Sequence, residues 1–164
     1  ARMAGLESLG IQPRRRSMAR IPAPGGYDVS AWPMIIGHGD TWYAKPDAGA
    51  LIVSPSDEDP VPPQDAWADD MVLAEGLARY ASMMRFPVER LIANWAGLRS
   101  FAPDGMPVYG RDAAQPDFIW FAEQGGYGFQ SSVAAARFIA DLIGGRPVDP
   151  ALAAAMDPRR LTRV

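Results

Sequence analysis

The glycine-rich segment at residues 124–130 contains residue types that suggest a binding function. It follows a short apolar run and opens a helical pattern, so the chain reads strand, glycine loop, helix. That arrangement directs backbone N–H groups and the positive end of a helix dipole at whatever lies above the turn, where they stabilise electron-rich or anionic groups. Glycines at 125, 126 and 128 leave room for a flat ring system, and the glutamines at 124 and 130 offer amides.

The same segment has a simpler interpretation, which is a tight turn before a packing helix. Short glycine-rich patterns are weak signals without their structural context. No Gly-Lys-Ser or Gly-Lys-Thr follows the glycines, so the segment is not a phosphate-binding loop of that type.

A lone guanidinium, Arg99, lies in the otherwise apolar and aromatic segment at residues 95–101. A buried arginine needs an anion to offset the cost of its desolvation. Its planar fork of donors matches a carboxylate bidentately, so the partner is either a ligand carboxylate or an internal acid. Both alternatives stay open on the residues alone.

Arg14, Arg15 and Arg16 lie on a predicted strand, where successive side chains point to opposite faces. Arg15 should therefore face away from the other two, with at least one arginine inward and the rest solvated. Tyr43, in a short aromatic strand, could present its hydroxyl to a substrate carboxylate or α-amine, or simply pack in the interior. His38 lies between two glycines in a turn and has no expected role.

Composition removes several other classes of function. The chain has no cysteine and one histidine, which excludes thiolate chemistry and makes a histidine-rich metal centre implausible, so no metal site is predicted. The net charge of -3 gives no overall field for nucleic acid. No apolar run approaches the roughly 20 residues of a membrane span and no secretory signal is present, which favours the cytoplasm.

The elements that must position these residues follow from turn formers and from periodicity. The predicted fold class is α+β, a mixed and largely antiparallel substrate-domain sheet with a covering helix, followed by a strand, a glycine loop and a helix. An acidic, proline-rich loop at residues 55–63 is expected to be solvated surface. The predicted strands are residues 11–22, 33–36, 42–45, 50–54, 89–101, 107–109 and 117–122.

Two main helices and one short helix are predicted. The first spans residues 65–84, with one stripe containing Trp67 and Met71 and a neighbouring stripe containing Leu73 and Tyr80. The second begins in the glycine loop, places Val133 and other apolar residues at helical spacing, and ends at a glycine pair. An alanine-rich helix is expected near residues 151–156.

Taken together, these segments resemble the glycine/D-amino-acid oxidase superfamily of FAD enzymes, in its carboxyl-terminal half. The resemblance is closest to the bacterial D-amino-acid dehydrogenases of the D-arginine dehydrogenase type, and it runs nearly end to end. The order and spacing of the matching pieces make the combination specific, whereas each piece alone is not. The pieces are residues 13–16, 42–46, 51–55, 95–101 with 104–105, and 124–130.

The resemblance implies a role for each candidate residue. Arg99 would hold the substrate α-carboxylate, with Arg16 as the second cationic partner, Tyr43 as a hydrogen-bond donor to the same end, and Gly126 touching substrate. No side chain would act as a catalytic acid, base or nucleophile. The loop would lie beside the pyrimidine edge of FAD, through Gln124, Gly125, Gly126, Tyr127, Gly128, Phe129 and Gln130.

The implied reaction is hydride transfer from the Cα–H of a D-amino acid to FAD, which gives an imino acid and then a 2-oxo acid and ammonia. Residues 1–110 would form the substrate-binding domain and 111–164 the last part of the FAD-binding domain. The fingerprint Gly-x-Gly-x-x-Gly that holds the FAD pyrophosphate is absent from the sequence.

We therefore expect an amino-terminal FAD-binding half to be the partner of this chain, which begins without an initiator methionine. The other expected partner is a small amino-acid substrate. Two alternatives stay open. One is a sarcosine-, glycine- or proline-type amine oxidase of the same superfamily, and the other is a carboxylate-binding domain without redox chemistry.

Overall fold

The structure is a computed structural model that describes residues 2–161. It divides into two compact units, Arg14–Leu98 and the combination of Ala1–Pro13 with Arg99–Val164, here called the sheet unit and the loop unit. The strands are β1 (Gln12–Pro22), β2 (Ile35–Ile36), β3 (Tyr43–Asp47), β4 (Ala50–Ser54), β5 (Ala93–Phe101), β6 (Val108–Arg111) and β7 (Ile119–Ala122); the helices are α1 (Asp70–Met83), α2 (Gly128–Ile143) and α3 (Pro150–Met156).

Strands β1 to β5 form a sheet in the order β2-β3-β4-β1-β5. The pairings of β2 with β3, β3 with β4 and β1 with β4 are antiparallel, with Ala19 opposite Val53 and Ala44 opposite the same residue. All five residues of β4 are buried, because this strand has a neighbour on each side and a helix on one face. The predicted α+β class with a largely antiparallel sheet is confirmed.

Helix α1 covers β4 in the sheet unit. Gly76 allows the close approach, since a Cβ atom there would collide with the ring of Pro55. Tyr80 packs edge-on against Trp42, with ring centroids 5.2 Å apart. Both rings belong to the apolar core of this unit, which also contains Ile21, Val29, Ala44, Leu51 and Val53.

The first helix is shorter than predicted and buries only one of its two apolar stripes. Asp69 caps it by accepting hydrogen bonds from the N–H groups of Met71 and Val72, so that residues 65–69 lie outside the helix. Trp67 is 80% exposed and Met71 is 69% exposed. The stripe that contains Leu73 and Tyr80 is the buried one, while Trp67 and Met71 face solvent.

The loop unit contains the antiparallel hairpin β6–β7, together with α2 and α3. Its core joins Leu6, Leu9, Ala102, Val108 and Trp120. The carboxylate of Asp112 is buried and accepts a hydrogen bond of 3.0 Å from the indole of Trp120. Much of the predicted apolar stripe of α2 is exposed in the described chain, with Val133 at 76%.

The boundary between the two contact units passes through β1 and β5. This division by contacts is separate from the predicted functional domains, 1–110 and 111–164, which remain a prediction. Several predicted strands are shorter in the structure, because Ile35–Ile36, Ala93–Phe101 and Ile119–Ala122 each begin two or more residues later than the sequence pattern.

Candidate functional site

The glycine loop begins immediately after β7, in the loop unit. Glu123 and Gly125 both have left-handed backbone conformations, with φ of 64° and 53°. The N–H of Gly125 donates a hydrogen bond of 3.2 Å to the carbonyl of Ser100, and the N–H of Tyr127 donates one of 2.9 Å to the carbonyl of Gln124. The loop is therefore a tight turn that is fastened to the end of β5.

Two glycines of the loop are required because other side chains pack closely against their backbone. A Cβ atom on Gly125 would be 2.5 Å from Cε1 of Phe101, and one on Gly126 would be 2.7 Å from Nη1 of Arg99. Real Cβ atoms do not approach so closely, so both positions need glycine unless the neighbouring side chain moves. The structure thus brings together Arg99 and Gly126, two of the predicted substrate-binding residues.

Helix α2 begins directly after the turn. Its N-cap residue is Tyr127, which makes no side-chain capping hydrogen bond, and the first helical bond runs from the N–H of Ser131 to the carbonyl of Tyr127 at 2.9 Å. The first N–H groups of a helix of this length favour an anionic or electron-rich group. Tyr127 and Phe129 are exposed at 67% and 99%, and Gln130 is exposed as well.

These features fit the edge of a flavin. The chain supplies an uncapped helix start, a turn without Cβ atoms at 125, 126 and 128, and exposed aromatic side chains beside it. The predicted cofactor contacts at Gln124, Gly125, Gly126, Tyr127, Gly128, Phe129 and Gln130 are thus one continuous turn and helix start. Within residues 2–161, no group of three or more acidic or histidine side chains is placed to hold a metal ion.

The turn after β5 carries the Asp104–Gly105 pair that was part of the resemblance. Gly105 has a left-handed φ of 75° and its N–H donates to the carbonyl of Ala102 at 2.9 Å. The guanidinium of Arg160 donates to the Asp104 carboxylate at 2.7 Å, and this hydrogen bond holds the pKa of Asp104 below its ordinary value. The pair therefore fixes the turn that follows Arg99.

In the sheet unit, the three consecutive arginines of β1, Arg14, Arg15 and Arg16, face carboxylates from the acidic loop. Arg16 donates to Glu58 at 2.5 Å and is 8% exposed. Arg15 donates to Asp59 at 2.7 Å, and its Nε lies 3.4 Å from Asp57. The expectation that the other arginines are simply solvated is wrong for Arg15, whose side chain is 17% exposed.

The acidic loop is not merely solvated surface, as its composition suggested. The Asp57 side chain is 4% exposed and accepts hydrogen bonds from the N–H of Ser17 at 2.7 Å and from its hydroxyl at 2.8 Å. Pro60 forms an isolated bridge with Arg14. Pairing between residues far apart in sequence outweighs the local tendency of such a loop to be exposed.

Tyr43 lies near Arg16 on the neighbouring part of the sheet unit. The Arg16 guanidinium carbon is 6.0 Å from the centroid of the Tyr43 ring, within the range of a cation–π contact. The Tyr43 hydroxyl meets the sulfur of Met18 at 3.5 Å, and a thioether is a weak acceptor. Arg16 and Tyr43 are thus brought together in the sheet unit, while Arg99 and the glycine loop belong to the loop unit.

Glu123 is a notable residue that sequence reasoning missed. It is 5% exposed, and its Oε2 atom is buried without a hydrogen-bond partner. This burial raises the pKa of Glu123 to about 7. The sequence did contain a signal for this residue. Glu123 follows a predicted buried strand and comes just before the glycine-rich segment, where a charged group has little access to water.

The fold is shared with several solved enzyme structures. Glycine oxidase from Geobacillus kaustophilus aligns with a TM-score of 0.74 and 20% identity, over 96% of this chain and 40% of that one. L-proline dehydrogenase from P. horikoshii aligns with a TM-score of 0.75 and 22% identity, over 97% and 42%. L-amino acid deaminase from Proteus vulgaris aligns with a TM-score of 0.69 and 21% identity, over 98% and 39%.

The chain therefore spans about two fifths of the length of the structures it matches. A family model described as FAD dependent oxidoreductase matches residues 1–142. That match covers most of the chain, and the chain belongs to this family, whose cofactor is FAD. Among residues 2–161, no helix is long and apolar enough to cross a membrane.

Proposed function

From this membership of the FAD-dependent oxidoreductase family, we propose that the chain supplies the substrate clamp and the flavin-edge loop of a D-amino-acid dehydrogenase or oxidase. The observation that carries the proposal is the packing of the Arg99 guanidinium against the backbone of Gly126. This packing puts the guanidinium at the turn that leads into the uncapped start of α2, which supports the proposal that Arg99 binds the substrate carboxylate. Because the sequence motifs most resemble that type, we propose an enzyme of the D-arginine dehydrogenase type.

In the proposed reaction, Arg99 binds the substrate α-carboxylate through its planar fork, with Arg16 and Tyr43 as further partners and Gly126 in contact with substrate. The amino group of the substrate gives up a proton to solvent water, and the Cα–H leaves as a hydride. FAD, when bound, would supply the acceptor for that hydride. The imino acid that results is hydrolysed to a 2-oxo acid and ammonia, and the chain's own residues only bind and orient the substrate.

The loop 124–130 contributes electrostatics to the same proposal. Backbone N–H groups and the helix dipole at the start of α2 stabilise negative charge that develops on the pyrimidine edge of the flavin. Because these dipoles are fixed by the turn, they need little reorganisation during the reaction. The residues that hold the pyrophosphate belong, in this proposal, to an amino-terminal FAD-binding half.

The substrate class is supported by what the similar structures are named for. Glycine, L-proline and L-amino acids all carry a carboxylate next to an amine-bearing carbon, and they name the oxidase, the dehydrogenase and the deaminase above. These names favour a substrate with an amine next to a carboxylate. The D configuration in the proposal rests on the sequence motifs alone. A sarcosine-, glycine- or proline-type amine oxidase is the second candidate, on the same comparisons.

The domain assignment is also part of the proposal, with residues 1–110 as the substrate-binding domain, 111–164 as the end of the FAD-binding domain, and the cytoplasm as the compartment. The chain alone, without its FAD-binding half, is expected to be inactive.

A substrate panel on the full-length protein with bound FAD tests the proposed activity. We expect primary D-amino acids to bleach the flavin absorbance and to reduce an artificial dye, with a 2-oxo acid and ammonia as products. L-enantiomers serve as the matched control. Turnover of sarcosine or L-proline in place of D-amino acids would support the second candidate, and no flavin reduction by any amine would contradict both.

A further inference from the structure

The Arg16–Glu58 ion pair occupies part of the proposed substrate clamp. Nη2 of Arg16 donates to Oε1 of Glu58 at 2.5 Å, while Nη1 of Arg14 lies 3.7 Å from the other carboxylate oxygen. The Arg16 side chain is 9% exposed and that of Glu58 is 41% exposed. An internal carboxylate therefore already holds an anion position on a buried guanidinium.

The loop that carries Glu58 is fastened to β1 on both sides of this residue. Before it, the Asp57 carboxylate accepts two hydrogen bonds from Ser17, at 2.7 and 2.8 Å. After it, the carbonyl of Asp59 accepts a hydrogen bond from the N–H of Arg15 at 2.9 Å. The loop backbone on both sides of Glu58 is thus held against β1, while 41% of the Glu58 side chain is exposed.

Arg16 keeps a donor that Glu58 does not use. Its Nε is buried and has no hydrogen-bond partner, which is costly for a charged group. Beside it, the Tyr43 hydroxyl meets the Met18 sulfur at 3.5 Å, and a thioether is a weak acceptor. A carboxylate that accepted from Arg16 and Tyr43 would satisfy both of these groups.

We propose that Glu58 is an internal competitor of the substrate, which occupies the anion position on Arg16 until the substrate carboxylate displaces it. This inference rests on the proposed function, in which Arg16 is a cationic partner of the substrate carboxylate. Displacement exchanges one carboxylate for another, so the buried guanidinium stays compensated throughout. Glu58 then lowers the affinity for every carboxylate ligand by competing with it.

The test is Glu58→Gln in the full-length protein with FAD. Glutamine keeps the size and a hydrogen-bond acceptor but removes the competing charge. We expect KM for the D-amino acid to fall about two- to fivefold, the range of a partly exposed ion pair. We expect kcat to stay within about twofold of the original, since a competing contact is absent once substrate is bound.

Asp59→Asn is the matched control, because Asp59 lies on the same loop and pairs with Arg15 at 2.7 Å. Its KM should not change. An unchanged KM in Glu58→Gln would overturn the inference, and so would a raised KM, which would mean that Glu58 binds the substrate or only supports Arg16.

Binding of propionate, measured by calorimetry on both proteins, separates this inference from the proposed activity. If Glu58→Gln binds propionate more tightly than the original protein does, displacement is supported. If, in addition, no amine reduces the flavin of either protein, the proposed oxidation reaction is contradicted while displacement still stands. Equal binding in the two proteins, or binding in neither, would overturn displacement even if D-amino acids are turned over.

Discussion

A Cβ atom on Gly126 would lie 2.7 Å from Nη1 of Arg99 and 2.8 Å from its Cζ. The guanidinium therefore packs on a backbone surface that only glycine leaves open. Because the N–H of the adjacent Gly125 bonds to the carbonyl of Ser100, next to Arg99 in the chain, the turn and the arginine are fixed together. Arg99 is thus positioned by the loop that precedes α2.

Gly126→Ala should displace the Arg99 guanidinium and weaken substrate binding. A shift of about 1 Å in a positioning group costs on the order of a hundredfold in rate, so a loss in kcat/KM of about ten- to a hundredfold is expected. Steady-state dye reduction by the full-length protein measures it. Gly97→Ala is the control on the same strand, where a Cβ atom meets nothing within 4 Å; equal losses in the two variants would contradict this positioning role.

Arg99→Ala should remove a charge-assisted, bidentate contact to the substrate carboxylate. The expected loss is about 2 to 4 kcal/mol in kcat/KM, mainly through a raised KM. Arg99→Lys keeps the charge without the planar fork and should recover only part of it. Near-normal kinetics in Arg99→Ala would rule out the carboxylate assignment, whereas the amount of bound FAD should be similar in all three proteins.

Sequence patterns predict elements well where local signals suffice. Strand Ala50–Ser54 has the predicted bounds because turn residues precede it and proline follows, and β1 is within one residue of its predicted start. Helix α1 begins late because the side chain of Asp69 accepts hydrogen bonds from the N–H groups of Met71 and Val72 and so caps the helix there. Helical periodicity also gives two adjacent stripes without telling which one faces the sheet, and the structure exposes the one that contains Trp67.

The glycine loop and Arg99 were identifiable as candidates because their residue types are unusual in an apolar strand and a turn. The contact between Arg99 and the glycine loop could not be predicted, because the hairpin β6–β7 separates them in the sequence. The same limit applies to Arg14, Arg15 and Arg16 of β1, whose carboxylate partners lie on a loop about forty residues further along the chain. Long-range pairing of this kind has no periodic signal in the sequence.

Asp57→Ala should destabilise the protein strongly. The Asp57 carboxylate is buried and satisfies both the N–H and the hydroxyl of Ser17, and its removal leaves these donors and Arg15 without that partner. The expected loss in the free energy of unfolding is about 2 to 4 kcal/mol, measured by urea denaturation. Asp65→Ala, at an exposed position, should change stability by no more than about 0.5 kcal/mol; a similar small effect for Asp57→Ala would contradict the structural role of this carboxylate.

Glu123→Gln should remove a pH dependence of stability. Burial raises the pKa of Glu123 from 4.5 to about 7, so between these pH values the folded protein holds a proton that the unfolded chain has released. The contribution of this group to the free energy of unfolding therefore falls as pH rises from 4.5 to 7, and the penalty is complete above 7. The amide carries no charge, so the variant should be more stable than the original by about 1 to 3 kcal/mol at pH 8 and similar to it at pH 4.

Thermal unfolding of the full-length protein and its Glu123→Gln variant, at several pH values, measures this difference. Glu7→Gln is the matched control in the loop unit, since Glu7 is exposed. The difference between the Glu123→Gln curve and the original should grow with pH, while the Glu7→Gln difference stays flat. A Glu123→Gln difference that is constant with pH would mean that the buried carboxyl gains charge without cost, and the assigned pKa would then be wrong.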